Sequence, residues 1–412
     1  MGGRYGGQAL GLLLDYNSPY LADIIGFDAS YYAVGNINSR ENSMDLLQDD
    51  GSHHSFAKLG QAYIKARYQN DGLSLFGQFG RARFESSTIN STDTRVAPDT
   101  YFGGRGEISY TGFSTFGLES KLDFNAVRIT KSSLRDVEKF ESIHSESGQK
   151  IDNVTSISAT YDMKALKLNY GLGIAKDFNK NQVVDVSLKL PLPNESGFIV
   201  NYQHHKLSAN GDIWKQDYLQ GQSAYKDEAT LRNLNFGYVH APFRVGLSFT
   251  KAKAPSGRKT RFGTDVLGYA YEDHGKNVNG NNDPWTYSGN DFNNDGEFTK
   301  QLAFEYDIGK TDIQNDFLRG IKFSVIHKVG TFNATDPTPM LVGSAPVERK
   351  VKEKQTEYRV FYRFDEKDYA GLSTGLAFTK YKINHDFVPL ISAQSNNVLS
   401  GQELRLYIDY AF

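Results

Sequence analysis

Three short patterns in this chain have residue types and spacings that could do chemistry. Gly371-Leu372-Ser373-Thr374-Gly375 has the G-x-S-x-G form in which a sharp strand-to-helix turn presents a serine nucleophile. The residues that follow, Ala377-Phe378-Thr379-Lys380-Tyr381, continue as a strand and open no helix, so the elbow is rejected. Asp291-Phe292-Asn293-Asn294-Asp295-Gly296 matches the first half of a calcium loop, with Asp291, Asn293 and Asp295 as oxygen ligands. Its twelfth position is Leu302 rather than a bidentate glutamate, and no helices flank it, so a turn is the better reading and calcium the weaker. His53-His54 and His204-His205 are histidine pairs, but neighbours on a strand point to opposite faces and rarely share a metal. With no cysteine there is neither a disulfide framework nor a thiolate site. No convergent Ser/His/Asp or acidic cluster emerges. The expectation is a protein that is not an enzyme and uses no cofactor or resident metal.

What positions these residues is a succession of strands. The last ten residues alternate strictly: Leu404, Leu406, Ile408, Tyr410 and Phe412 are apolar, while Glu403, Arg405 and Asp409 are charged. Successive side chains of a strand point to opposite faces, so this segment has one greasy and one ionic side. The same period recurs at 25–32, 62–68, 118–124, 166–174, 184–190, 302–308 and 357–364. A soluble sandwich would bury the greasy face against a second sheet; a membrane barrel would turn it to lipid.

Composition favours the second reading. The chain has 25 tyrosines, 27 phenylalanines and 39 glycines in 412 residues, a mixture suited to strands, aromatic girdles and tight turns. A net charge of -2 argues against nucleic acid as a partner. Mean hydropathy is -0.51, and no run approaches the roughly 18 apolar residues of a spanning helix. Spanning strands are only about 9–11 residues long and half polar, so hydropathy averages miss them.

The connectors sort by length. Short turns are expected at Asn70-Asp71, Thr111 to Ser114, Met163-Lys164, Pro191 to Glu195, Ala241-Pro242 and Asp365 to Tyr369. Between them lie long polar stretches at 36–56, 85–101, 129–151, 208–229, 254–297, 331–353 and 385–401. Short turns on one side and long loops on the other characterise outer-membrane barrels, the short side being periplasmic. About 17 strands are legible, against the even number usual in bacterial single-chain barrels. That parity, and the absence of a signal-peptide pattern, suggest a chain starting at an internal Met1 after a first strand, the alternative being a count in which two strands are merged. Within Ser133 to Ser147, Leu134, Val137, Phe140 and Ile143 recur every three residues and suggest a short surface helix.

At this point the residues resemble a known group, the OprD-type family of substrate-selective outer-membrane porins. Gly11-Leu12-Leu13-Leu14-Asp15-Tyr16-Asn17-Ser18-Pro19-Tyr20 with Ile25-Gly26-Phe27-Asp28 is similar to the family's second and third strands. Thr94 to Tyr101 resembles its third loop, and Asn290 to Glu297 with Leu318 to Phe323 its seventh loop and the strands beyond. Glu403 to Tyr410 resembles its last strand. The Leu-Asp-Tyr opening and the Asp-Phe-Asn loop end look most like the chitoporin branch.

The resemblance implies one domain over residues 1–412, an all-β transmembrane antiparallel barrel of about 18 strands with loops folding into the pore. It implies passive uptake, chito-oligosaccharides or similar small sugars first, with small carboxylates or amino acids as the alternative. An adhesin or a barrel enzyme ranks lower. The expected partners are outer-membrane lipids, a small solute and the barrel-assembly machinery through the C-terminal strand, with the chain a monomer.

Loops near 85–101 and 254–297 would build the constriction. The ionic faces give Lys65, Arg67, Lys121, Lys189, Lys322, Arg359, Arg363, Arg405, Glu305 and Asp307 as pore-lining candidates, with Arg95 in the third-loop segment. Arg359, Arg363 and Arg405 could form one basic row that concentrates carboxylates. Equally, Glu357 and Glu403 could neutralise it. Trp214 and Trp285 lie in long loops, where packing is the plainer role and a sugar-stacking platform the sharper one, Trp285 being the better candidate for the second.

Overall fold

The computed structural model describes residues 8–38, 47, 54–91, 96–255, 271, 278, 286, 291–336, 345, 347–364, 371–383 and 400–410. Arg95, Trp285 and His53 lie outside the described residues, as do the expected turn 365–369 and the loop 384–399. The chain divides into two compact units. One comprises 1–184, 206–223 and 269–277; the other comprises 185–205, 224–268 and 278–412.

In the first unit the strands are β1 (Ala9–Asn17), β2 (Ile25–Asn36), β3 (Phe56–Asn70), β4 (Leu73–Ala82), β5 (Thr100–Thr115) and β6 (Leu118–Ser133). A small hairpin follows, β7 (Glu141–His144) and β8 (Lys150–Ile151), and then β9 (Val154–Met163) and β10 (Leu166–Ala175). Each long strand pairs antiparallel with the next, β6 passing over the small hairpin to pair with β9. Strands β11 (Asn179–Leu192) and β12 (Ser196–Ala209) each contribute residues to both units, and the helix α1 (Asp212–Gln220) belongs to the first. The second unit has β13 (Glu228–His240), β14 (Phe243–Lys253), β15 (Phe298–Asp307), the one-turn helix α2 (Asp316–Arg319), β16 (Ile321–Asp336), β17 (Val347–Arg363), β18 (Leu372–Ile383) and β19 (Ser400–Tyr410). From β13 to β19 they form an antiparallel meander. Apart from β7 and β8, every described strand is at least nine residues long, which leaves seventeen, the number legible in the sequence.

The apolar faces are bare. Phe27, Ile64, Phe79, Phe124, Ile157 and Tyr170 in the first unit, and Leu302, Tyr358, Val360, Leu376, Leu404, Leu406 and Ile408 in the second, are all about half exposed or more. The opposite faces carry the buried polar residues, among them Asp28, Ser156, Gln301, Glu357 and Arg359. This inverts a soluble domain, and contiguous bare apolar surface on such a scale has no stable place in water. What apolar core exists sits towards the long loops. Tyr32, Val34, Leu47, Phe56 and Ala97 form one cluster, and Phe332, Ala334, Val351 and Ile383 another.

Three local expectations are corrected. The turn expected at Thr111 to Ser114 is a bulge: pairing slips between Tyr110 and Phe113, β5 runs on to Thr115, and Phe116-Gly117 makes the turn. A bulge and a turn use the same small, polar residues, so composition does not separate them. No helix forms within Ser133 to Ser147. Glu141–His144 pairs as a strand with Lys150–Ile151, and the fully buried Ile143 faces Ile151 across that hairpin. The period-three pattern was too short to bury a helical face of its own. The helix on this side is α1, where Trp214 packs on Phe178 with ring centroids 5.0 Å apart and Asp217 accepts a hydrogen bond from Ser145 Oγ at 3.0 Å. Finally, much of the loop expected at 331–353 is paired strand, in register to Asp336 opposite Val347.

Candidate functional site

The polar face of the first unit is covered by a folded-in loop. Between β4 and β5 the chain turns back at Glu85 and Asn90, and its hydroxyls reach the wall. Ser86 Oγ donates to Ser156 Oγ at 2.8 Å, Thr88 Oγ1 to Ser156 Oγ at 2.8 Å, and Ser87 Oγ to Asn169 Oδ1 at 3.0 Å. Tyr271, from the long stretch 254–297, is fully buried and donates its hydroxyl to Thr88 Oγ1 at 2.8 Å. The wall makes room for this contact: a Cβ at Gly173 would collide with Thr88 and with the Tyr271 hydroxyl. Described parts of both loops expected to build a constriction therefore meet on one polar face. Burial pushes the Tyr271 phenol up, against the pull of its bond to Thr88.

Nearer β5 the loop is tied down by charge. Asp99 accepts the backbone N–H of Arg135 at 2.6 Å, and burial raises its carboxyl to about 6, although Arg135 pulls the other way. Lys58 Nζ, also buried, donates to Leu134 O at 2.5 Å and Ser133 Oγ at 3.2 Å.

Towards the short turns the same unit carries ion pairs. Asp28 accepts from Lys65 Nζ at 2.6 Å, from Tyr63 OH at 2.7 Å and from Ser18 N at 3.2 Å, while Tyr20 lies under both Lys65 and Arg67. Arg67 pairs with Asp23 at 2.8 Å, Lys121 with Asp123 at 2.9 Å, and Arg105 with Glu107. Lys189 sits exposed on β11.

The second unit presents ordered rows. Read in register, Arg244, Glu305, Ser324, Arg359, Ala377 and Arg405 are direct cross-strand neighbours on β14 to β19, all on the polar side. Strands lie about 4.8 Å apart, so Arg359 and Arg405, two strands apart, are separated by about 10 Å at the backbone. One step nearer the long loops, Glu357, Thr379 and Glu403 are neighbours. Arg359 pairs with Glu357 and Arg405 with Glu403 along their own strands, and Glu305 bridges Arg244 at 3.5 Å and Lys322 at 3.4 Å. The row expected from the sequence thus includes Arg359 and Arg405. Arg363 lies two inward-facing steps away, opposite Ser373. Arg244 was missed because it is the second residue of its strand, before any alternation has been established.

Further down, Phe361, Gly375 and Tyr407 are neighbours in a row that also holds Lys322 and Asp307. Phe361 lies over Gly375, where a Cβ would strike its ring. Asp307 directs its carboxylate to the N–H of Gly309 at 3.0 Å, capping the turn at 308–310. Of the calcium-like segment, Asp295 accepts the N–H of Ala254 at 2.6 Å and Asn294 bonds Glu297, an arrangement that ties a turn to the end of β14. Trp214 is spent on packing in α1.

A family model described as outer membrane porin, OprD family, matches residues 7–412. Among solved structures, OccAB1 of Acinetobacter baumannii is similar with a TM-score of 0.74 at 18% identity, covering 98% of this chain and 89% of that one. OccAB3 of the same organism gives 0.72 at 18% identity, with 98% and 92% covered. OpdK of Pseudomonas aeruginosa, solved with vanillate, gives 0.70 at 18% identity, with 98% and 93% covered. Among curated protein sequences, none matches this chain. The chain belongs to the OprD family of outer membrane porins, and its fold is an antiparallel β-barrel of the Gram-negative outer membrane.

Proposed function

We propose that this OprD-family porin admits small uncharged or zwitterionic solutes by passive diffusion, with chito-oligosaccharides and similar small sugars as the first cargo. The observation that supports this most is the row in which Phe361 lies over Gly375 beside Tyr407, flanked by Lys322 and Asp307. An apolar ring face bordered by hydrogen-bonding groups of both signs suits a pyranose, which has an apolar face and a polar rim. The charged rows above it favour no ion strongly. Arg359, Arg405 and Arg244 each have a carboxylate partner, so the local field of each cation is offset by an anion. No bond is made or broken; selectivity arises from the folded-in loops and the groups the solute slides past.

A second reading has its own support. Arg244, Arg359 and Arg405 share one row, and an arginine fork can hand a carboxylate to the next. The vanillate complex of OpdK concerns a carboxylate, and OpdK shares this fold. Liposome swelling with chitobiose, glucose, arginine and benzoate separates the two. The sugar reading expects chitobiose and glucose to enter readily and benzoate more slowly. Rapid benzoate entry with chitobiose excluded would replace it by the carboxylate reading.

A further inference from the structure

The bare face of the second unit changes character over a single step of the pleat. In one cross-strand row, Val325, Tyr358, Phe378 and Leu404 are apolar. The next row towards the long loops is His327, Thr356, Lys380 and Gln402, and the row beyond it sets Lys354 directly opposite Lys382. Like charges facing each other across a sheet repel. Among the described residues, no carboxylate pairs with Lys354, Lys380 or Lys382. Lys380 Nζ stays 5.5 Å from the Phe378 ring centroid, and His327 Nδ1 lies 2.8 Å from Thr356 Oγ1, so the imidazole is fixed beside the cations. These side chains and Gln402 line a groove of about 420 Å³.

We propose that this groove on the outer wall binds the phosphate groups of an anionic outer-leaflet glycolipid, whose acyl chains lie along the apolar rows beneath it. The geometry supplies both parts of such a ligand's chemistry. Three ammonium groups sit at the upper edge of the lipid-facing surface, where a phosphate is partly desolvated and its charge is least screened. Directly below them Tyr358, Phe378 and Leu404 offer apolar surface to hydrocarbon. The inference concerns the outward face alone and stands apart from the choice of transported solute.

The test is native mass spectrometry of the purified, detergent-solubilised protein. It would be titrated with a bisphosphorylated hexa-acyl glucosamine-disaccharide lipid, with the same lipid lacking phosphates, and with inorganic phosphate. The bisphosphorylated lipid should bind and its dephosphorylated form should bind at least about tenfold more weakly. Joint Lys354→Gln, Lys380→Gln and Lys382→Gln should weaken binding roughly a hundredfold, as expected for three cations near an anionic surface. The corresponding triple Lys→Arg variant should retain it, and solute flux should be unchanged in both. Equal binding of the dephosphorylated lipid, or undiminished binding by the glutamine variant, overturns the proposal. Full displacement of the lipid by millimolar inorganic phosphate overturns it too, in favour of a soluble-anion site. Should the glutamine variant lose its heat-modifiable folded band on gels, the arginine variant and the dephosphorylated lipid decide the question.

Discussion

The two units line their polar faces by different means. In the first, a loop is held to the wall by neutral groups: Ser86, Ser87 and Thr88 against Ser156 and Asn169, with Tyr271 closing over Thr88. In the second, the wall carries charge in register, arginines in one row and glutamates in the next. Neutral hydroxyl bonds each contribute only about 1 kcal/mol net, and they position a segment without creating a field. Ion pairs leave a local field even when balanced, and removing one partner exposes the other. On the proposed function, the first arrangement would set how wide a passage is and the second what charge it tolerates.

The largest expected effect comes from unseating the loop. Gly173→Val places two methyl groups where Thr88 and Tyr271 stand, and overpacking of this kind typically costs about 1–3 kcal/mol. Single-channel conductance should rise several-fold while the heat-modifiable folded band persists; an unchanged conductance would mean that the loop does not set the width. Next is the joint replacement of Arg244, Arg359 and Arg405 by Gln. It takes the arginine partners from Glu357 and Glu403 and leaves Glu305 with Lys322 alone, so reversal potentials in a salt gradient should move clearly towards cation preference. Arg363→Gln, outside the row, should move them much less; an equal shift would show that the register does not define the selective element.

Tyr271→Phe removes one buried hydrogen bond, about 1 kcal/mol, and should increase current noise more than mean conductance. The smallest effect concerns Asp99. Its carboxyl is raised by burial to about 6, so between the ordinary aspartate range near 4 and about 6 the folded chain holds a proton that the unfolded chain has released. Stability from this group consequently falls as pH rises across that window. Asp99→Asn should flatten thermal stability between pH 4 and pH 6; an unaltered slope would assign the pH dependence elsewhere.

Much of this was legible because lipid enforces alternation. Leu404, Leu406 and Ile408 had to be apolar where they meet hydrocarbon, and every second residue between them was free to be charged, so strand and facing could be read together. That discipline ends where the strands leave the membrane. Around Lys350, Lys352 and Lys354 polar residues occupy both faces, and the paired ends of β16 and β17 read as loop. The basic row was half visible: facing follows from parity within a strand, but which residues stand level depends on register between strands, and that emerges only from the paired backbone. Hence Arg363 was grouped with residues it does not stand beside, while Arg244 was passed over. The hydroxyl clamp left no trace at all, since serine and threonine in a loop look alike whether they face water or a wall.

The same-strand pairs have an electrical consequence. On β17 and on β19 the carboxylate stands two residues nearer the long loops than its guanidinium, Glu357 before Arg359 and Glu403 before Arg405. Two small dipoles aligned in one sense on strands of the same unit should bias the potential along those strands. With identical salt on both sides, such a channel passes unequal current under opposite voltages, and the sign of that rectification reports which way the molecule was inserted.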